Sequence, residues 1–150
     1  MRELYFGVRG PVAGVQGKGE KHRMKEGNVE QKPKGFRNLN VWQKAYALTL
    51  DIYRATKTFP KAETYGMISQ LQRAAVSVPA NIAEGYERNY RKEYVQFLFI
   101  SKGSLGEVET FLLLARDLGY LSNEDYAAIE EKRGETTRLL RGLIKSLLPS

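Results

Sequence analysis

The chain has 150 residues, no cysteine and a single histidine, His22, with a formal net charge of +7. That length suits one domain with one substantial core. The lack of cysteine excludes a disulfide framework and thiolate chemistry, no apolar run approaches the ~18 residues of a membrane span, and the basic balance favours polyanionic partners.

Residues 1–35 hold 8 Lys/Arg against 4 Asp/Glu and half of the 14 glycines. They show little apolar periodicity after Val15, so a flexible basic tail is expected here. No signal-peptide apolar segment opens the chain, and a cytoplasmic location is expected. Met24 is a candidate internal start. Gly17-Lys18-Gly19 lacks the Gly-Lys-Ser/Thr ending and the preceding strand of a phosphate loop.

From Phe36 the pattern becomes helical, and residues 36–150 are expected to form one four-helix bundle domain. Trp42, Ala45, Leu48, Thr49, Ile52, Tyr53 and Thr56 keep helical spacing over about 39–57. Asn38 or Asn40 is the expected cap, and Trp42 reads as a core anchor. Thr58-Phe59-Pro60 ends this helix.

The second helix is expected from about 61–64 to Arg88. Ile68, Leu71, Ala75, Val78 and Ile82 form its apolar stripe. Gln70, Arg73, Ser77, Asn81 and Glu84 fall on the opposite side, set among alanines, with Gly85 closing the run. Short neutral polar groups among small residues let another backbone approach closely, so these six residues are the candidate oligomer or helix-contact motif. Pro79 lies inside this helix, where it lacks an N–H and crowds the carbonyl of Ala75, so a kink is expected. Ser77 and Asn81 are expected to satisfy the loosened backbone groups.

Asn89 is the expected cap of a third helix over about 90–118, whose stripe runs from Tyr94 through Leu98, Ser101, Leu105, Val108 and Leu112 to Leu118. Ser101, Gly103, Ser104 and Gly106 cluster at its middle. Each glycine there costs about 1 kcal/mol relative to alanine, a cost suited to a place where another helix packs closely. Gly119 is expected to close the helix in a left-handed conformation. Ser122 and Asp125 have capping-box spacing and open a fourth helix over about 123–148. Four long helices with short connections predict an all-α, antiparallel up-down-up-down bundle.

Catalytic chemistry finds little footing. His22 is in the tail, so the predicted domain has no His or Cys for metal ligation and no imidazole base for a nucleophilic triad. Glu84, Glu107 and Glu109 are the candidate carboxylates for a metal, and ion pairing or capping suits them better. The expected protein is not an enzyme and needs no cofactor. The candidate nucleic-acid contacts are Arg88, Arg91 and Lys92, beside Tyr86 and Tyr90, together with Lys44 and Arg54 on the first helix and Arg138 and Arg141 on the fourth.

Two stretches carry a family resemblance: Phe36-Arg-Asn-Leu39-Asn-Val-Trp42-Gln-Lys-Ala45, and Ser69-Gln-Leu-Gln-Arg-Ala-Ala-Val-Ser-Val-Pro-Ala-Asn-Ile-Ala-Glu-Gly85. Phe59-Pro60, Glu63-Thr-Tyr65-Gly66 and Lys102-Gly-Ser-Leu-Gly-Glu107 add to it. Over about 36–148 the chain resembles the four-helix-bundle proteins encoded in intervening sequences of bacterial 23S rRNA genes. A related branch of that family is the accessory protein of diversity-generating retroelements. The resemblance implies a ring-shaped homopentamer and, from the retroelement branch, binding of nucleic acid and a reverse transcriptase. It carries no catalytic residue. Gln72 stands where many members have a second arginine, which makes the second-helix stripe less basic. The expected function is a basic oligomeric adaptor for RNA or DNA, or for a nucleic-acid enzyme. The alternative is a structural protein-interaction module.

Overall fold

The computed structural model describes residues 35–150. The expectations for the tail, including His22 and Met24, lie outside the described residues. Four α-helices account for most of the described chain: α1 (Asn40–Thr56), α2 (Ser69–Tyr86), α3 (Arg91–Asp117) and α4 (Asn123–Leu147), and no strand forms among the described residues.

Cross-helix hydrogen bonds and ion pairs set the directions. Thr49 meets Ala75, and Thr56 meets Gln72 further along α1. Ser101 meets Val78, and Ser104 meets Ser77. Lys44 pairs with Glu135 and Asp51 with Lys132. In each pair of helices one number rises while the other falls, which is the signature of antiparallel neighbours. Contacts join α1 to α2, α2 to α3, α3 to α4 and α4 back to α1, and the α2–α3 seam is the most extensive.

The core follows the stripes. Ala45, Leu48, Ile52, Leu71, Ala75, Val78, Ile82, Leu98, Leu105, Val108, Leu112 and Leu140 are fully or almost fully buried. Trp42 is half-buried, packs on this core and stacks with Tyr46 at 5.1 Å between ring centroids. Tyr53, placed on the core face by its spacing, is exposed instead.

The ends show where local chemistry was and was not decisive. Ser122 caps α4, its Oγ accepting from the Asp125 amide at 3.1 Å. Gly119 takes φ 77° after α3, and the Tyr120 amide donates back to the Ala115 carbonyl. Positive φ is the reason a glycine serves here. The asparagine caps are corrected: Leu39 and Tyr90 occupy the N-cap positions of α1 and α3, with no side-chain cap. A 3-10 turn over Phe36–Asn38 leads into α1 and absorbs Asn38.

The start of the second helix is also corrected. A 3-10 turn at Lys61–Glu63 and a π-helical turn at Thr64–Ile68 precede α2. Non-helical dihedrals occur at Gly66, whereas α2 is assigned as one helix through Pro79.

Candidate functional site

Pro79 removes an amide from the middle of α2. The carbonyl that loses its partner belongs to Ala75. Thr49 Oγ1 of α1 lies 3.0 Å from that oxygen and 2.8 Å from its own Ala45 carbonyl. A hydroxyl has one proton. The Ala45 carbonyl already takes the ordinary helical bond, so the Ala75 oxygen has the stronger claim on it. From α3, the buried Ser101 hydroxyl donates to the Val78 carbonyl at 2.9 Å. Thr49 and Ser101, both on periodic stripes, are therefore helix-contact residues, and the periodic pattern did not show which carbonyls they reach.

The α2 stripe divides. Ser77 Oγ accepts from Ser104 Oγ at 2.8 Å and from Asn81 Nδ2 at 2.9 Å, so Ser77 faces α3 of the same chain. Asn81 also donates to the Ser77 carbonyl at 2.8 Å. Gly85 is buried against α3: a Cβ added there would lie 2.8 Å from Phe97 Cβ and 2.9 Å from a Tyr94 ring carbon. Gln70, Arg73 and Glu84 remain exposed. Half of the motif thus packs within the subunit, and the other half stays open.

The serine and glycine cluster of α3 splits the other way. Ser101 and Ser104 face α2, but a Cβ on Gly103 or Gly106 would meet nothing within 4 Å. The glycines point away from the chain's own helices, contrary to the close packing expected of them. Phe99, Ile100, Leu114 and Leu118 are exposed and share that outer face by helical spacing.

The cationic candidates differ in how far they are engaged. Arg88 donates to Glu84 at 2.6 Å, and its guanidinium carbon lies 4.8 Å from the Phe97 ring centre. Lys44 pairs with Glu135 at 3.3 Å and Arg54 with Asp51 at 3.3 Å. Asp51 also takes Lys132. Arg91, Lys92, Arg138 and Arg141 are exposed and make no ion pair among the described residues.

Arg133 behaves unlike its basic neighbours on α4. It is buried, and it forms a two-pronged bond to Glu130 at 2.7 and 2.5 Å, with Glu109 3.4 Å away. The hydrogen bond to Glu130 leads the effects that raise its pKa further above the usual arginine value, against the opposing effect of burial. Among the candidate carboxylates, Glu84 and Glu109 are thus in ion pairs and Glu107 is exposed. No group of three or more metal-ligating side chains converges among the described residues.

Arg91 and Lys92 share the first turn of α3 with Glu93, beside the exposed Tyr90; Glu93 forms no ion pair with either among the described residues. The helix dipole puts partial positive charge at that end, so cations there are unfavourable by roughly 0.3–1 kcal/mol each at low salt. A phosphate is favourable at the same place. Behind them, Tyr86 and Tyr94 meet edge to face at 6.1 Å, and burial, followed by Tyr86, pushes the Tyr94 phenol pKa up.

The geometry defines a class: an all-helical bundle with an exposed helix start bearing two cations and an open helix face that mixes apolar residues with Glu107 and Thr110. The family model of the 23S rRNA-intervening sequence protein matches residues 37–142, and the chain belongs to that family. A solved structure of a protein with unknown function, from the S23 ribosomal protein family of Bacteroides thetaiotaomicron VPI-5482, is 26% identical. That match covers 70% of this chain and 98% of the other, with a TM-score of 0.66. No curated protein matches the chain. No described helix is long and apolar enough to cross a membrane.

Proposed function

We propose that this protein is a non-catalytic, oligomeric adaptor that binds RNA through exposed cations. The observation that carries the reading is the pair Arg91 and Lys92, without carboxylate partners and at the positive end of α3. A folded subunit gains nothing from cations in that position, whereas a phosphate satisfies both them and the helix start. Arg138 and Arg141 extend the unpaired charge on α4. Arg88, Lys44 and Arg54 hold the fold's own carboxylates and are secondary contacts in this reading.

Assembly is the second part of the proposal. The α3 outer face, with its two glycines and exposed Phe99, Ile100 and Leu114, supports contact with further copies of the chain. Several copies repeat each modest phosphate contact and multiply the field they present. The homopentamer, and a reverse transcriptase as protein partner, rest on the family resemblance alone.

The test is the salt dependence of binding to fragments of 23S rRNA. The logarithm of the affinity should fall linearly with the logarithm of salt concentration. Arg91→Gln with Lys92→Gln should lower the steepness of that line by about 1.4 for each chain in contact with single-stranded RNA, since each phosphate contributes about 0.7. Absent or salt-independent binding rejects the RNA reading. A protein partner retained after nuclease treatment would then favour the interaction-module alternative.

A further inference from the structure

The α1–α2 side of the bundle holds an open groove that the cationic pattern did not reveal. Tyr53 and Lys57 line it from α1, Tyr65 from the π-helical turn, and Gln72, Arg73 and Val76 from α2. No carboxylate lines it. Lys57 and Arg73 are exposed and form no ion pair among the described residues. We infer that this groove is a stacking site for single-stranded RNA, with bases on Tyr65 and Tyr53 and phosphates on Lys57 and Arg73. The inference rests on the RNA-binding reading above and assigns it a second, base-dependent contact.

Three features carry it. The first is Tyr65, which is 96% exposed. A tyrosine ring left almost wholly in water forgoes the burial its apolar area would otherwise gain. The second is the way the ring is presented. Glu63 Oε2 accepts from the Met67 amide at 3.1 Å, and Tyr120 donates to Glu63 Oε1 at 3.3 Å, so one carboxylate closes the turn bearing Tyr65 and ties it to Tyr120. The backbone breaks from helical dihedrals at Gly66, next in the chain, so Tyr65 sits at a kink ahead of α2. A ring held clear of the fold on a bonded turn leaves its face open to a flat partner.

The third feature is a fixed acceptor. Thr56 donates its hydroxyl proton to the Tyr53 carbonyl at 3.1 Å, so its oxygen must accept from Gln72 Nε2, 3.0 Å away. That settles the Gln72 amide: nitrogen inward, with Oε1 accepting no bond within the described chain. An exocyclic amine of a base suits such an acceptor. Flat rings, unpaired cations and one amide acceptor together match a single strand better than a duplex, because stacking needs unpaired base faces. An acidic peptide shares the charge but not the requirement for base faces.

The test compares labelled oligoadenylate with an abasic ribose-phosphate oligomer of equal length and charge. The full chain should bind oligoadenylate more tightly. Tyr65→Ala should lose about 10-fold for oligoadenylate and little for the abasic oligomer, which is the cost of one lost stack. Lys57→Gln with Arg73→Gln should weaken both and flatten the salt slope by about 1.4. Light scattering and circular dichroism should show unchanged mass and helicity in both variants. Wild-type oligoadenylate affinity in the groove variants overturns the groove alone. No RNA binding by the unaltered chain overturns the adaptor reading with it. A drop in mass makes the groove a chain–chain contact, and equal competition by a polyglutamate peptide of matched charge makes it a peptide site; either outcome overturns the RNA assignment.

Discussion

At the scale of single residues, Thr49 and Pro79 form one device. Pro79 leaves the Ala75 carbonyl without its usual donor, and Thr49 reaches it from a different helix. Thr49→Val should cost about 1–3 kcal/mol in denaturant unfolding, the range for a buried acceptor left unsatisfied. In a Pro79→Ala background the restored amide serves Ala75, and the same substitution should then cost clearly less. Equal costs in both backgrounds would remove the proposed coupling. Gly85 shows the opposite constraint, one of space. Gly85→Ala places a carbon within 3 Å of Phe97 and Tyr94, and should destabilise the subunit by about 1–3 kcal/mol. An unchanged melting curve would show that α3 yields freely. The sequence exposed Pro79 as a disturbance and named Ser77 and Asn81 as its remedy. The Ala75 carbonyl is served instead by Thr49, which spacing placed on the first helix's stripe without showing this partner, because 26 residues of separation leave no mark in local spacing.

Among the elements, α4 is the one whose chemistry differs most from its composition. Its basic residues read as a surface face, yet Arg133 turns inward and holds Glu130 while lying beside Glu109 of α3. Arg133→Gln leaves these carboxylates without their cation and should lower stability by about 1–3 kcal/mol, measured by thermal or chemical unfolding. Glu130 and Glu109 keep some solvent, which is why the upper range for sealed ion pairs is not expected. A loss no larger than that of Arg141→Gln, on the exposed face, would count against the clamp. The four helices themselves were legible, because their apolar spacing repeats over many turns. Their starts were harder to read. Leu39 and Tyr90 take cap positions in extended conformation without a capping side chain. Gly66, rather than Pro79, carries the non-helical backbone, and a single glycine beside Thr64 and Tyr65 gives no periodic signal.

For the whole molecule, the open α3 face decides whether the adaptor reading is mechanically sound. Gly103 and Gly106 weaken an exposed helix by about 1 kcal/mol each with no neighbour in their own chain to justify them. Gly103→Arg should leave the subunit folded and reduce the mass seen by light scattering to that of a single chain. A monomeric unaltered protein, or an undisturbed assembly in the variant, would reject this face as the contact. The sequence singled out the glycines but not their direction. Direction emerges only after α2 and α4 have occupied the other sides of α3. The exposed cations sort by the same logic. Arg88 looked equivalent to Arg91 and Lys92 in a linear reading, and only the folded chain shows it resting on Glu84 and Phe97.

Thr49 and Ser101 have a consequence beyond the two carbonyls they touch. Long helices with evenly spaced leucines and alanines can seat against one another in neighbouring alignments, offset by a turn of about 5.4 Å. Apolar surfaces discriminate weakly between such seatings. Of the two α2 carbonyls gripped by hydroxyls from α1 and α3, at Ala75 and Val78, the first has no amide donor of its own, so a one-turn slide would offer Thr49 a carbonyl already bonded within α2 and leave Ala75 unsatisfied. A proline that weakens one helix by itself thereby helps the bundle settle on a single vertical setting.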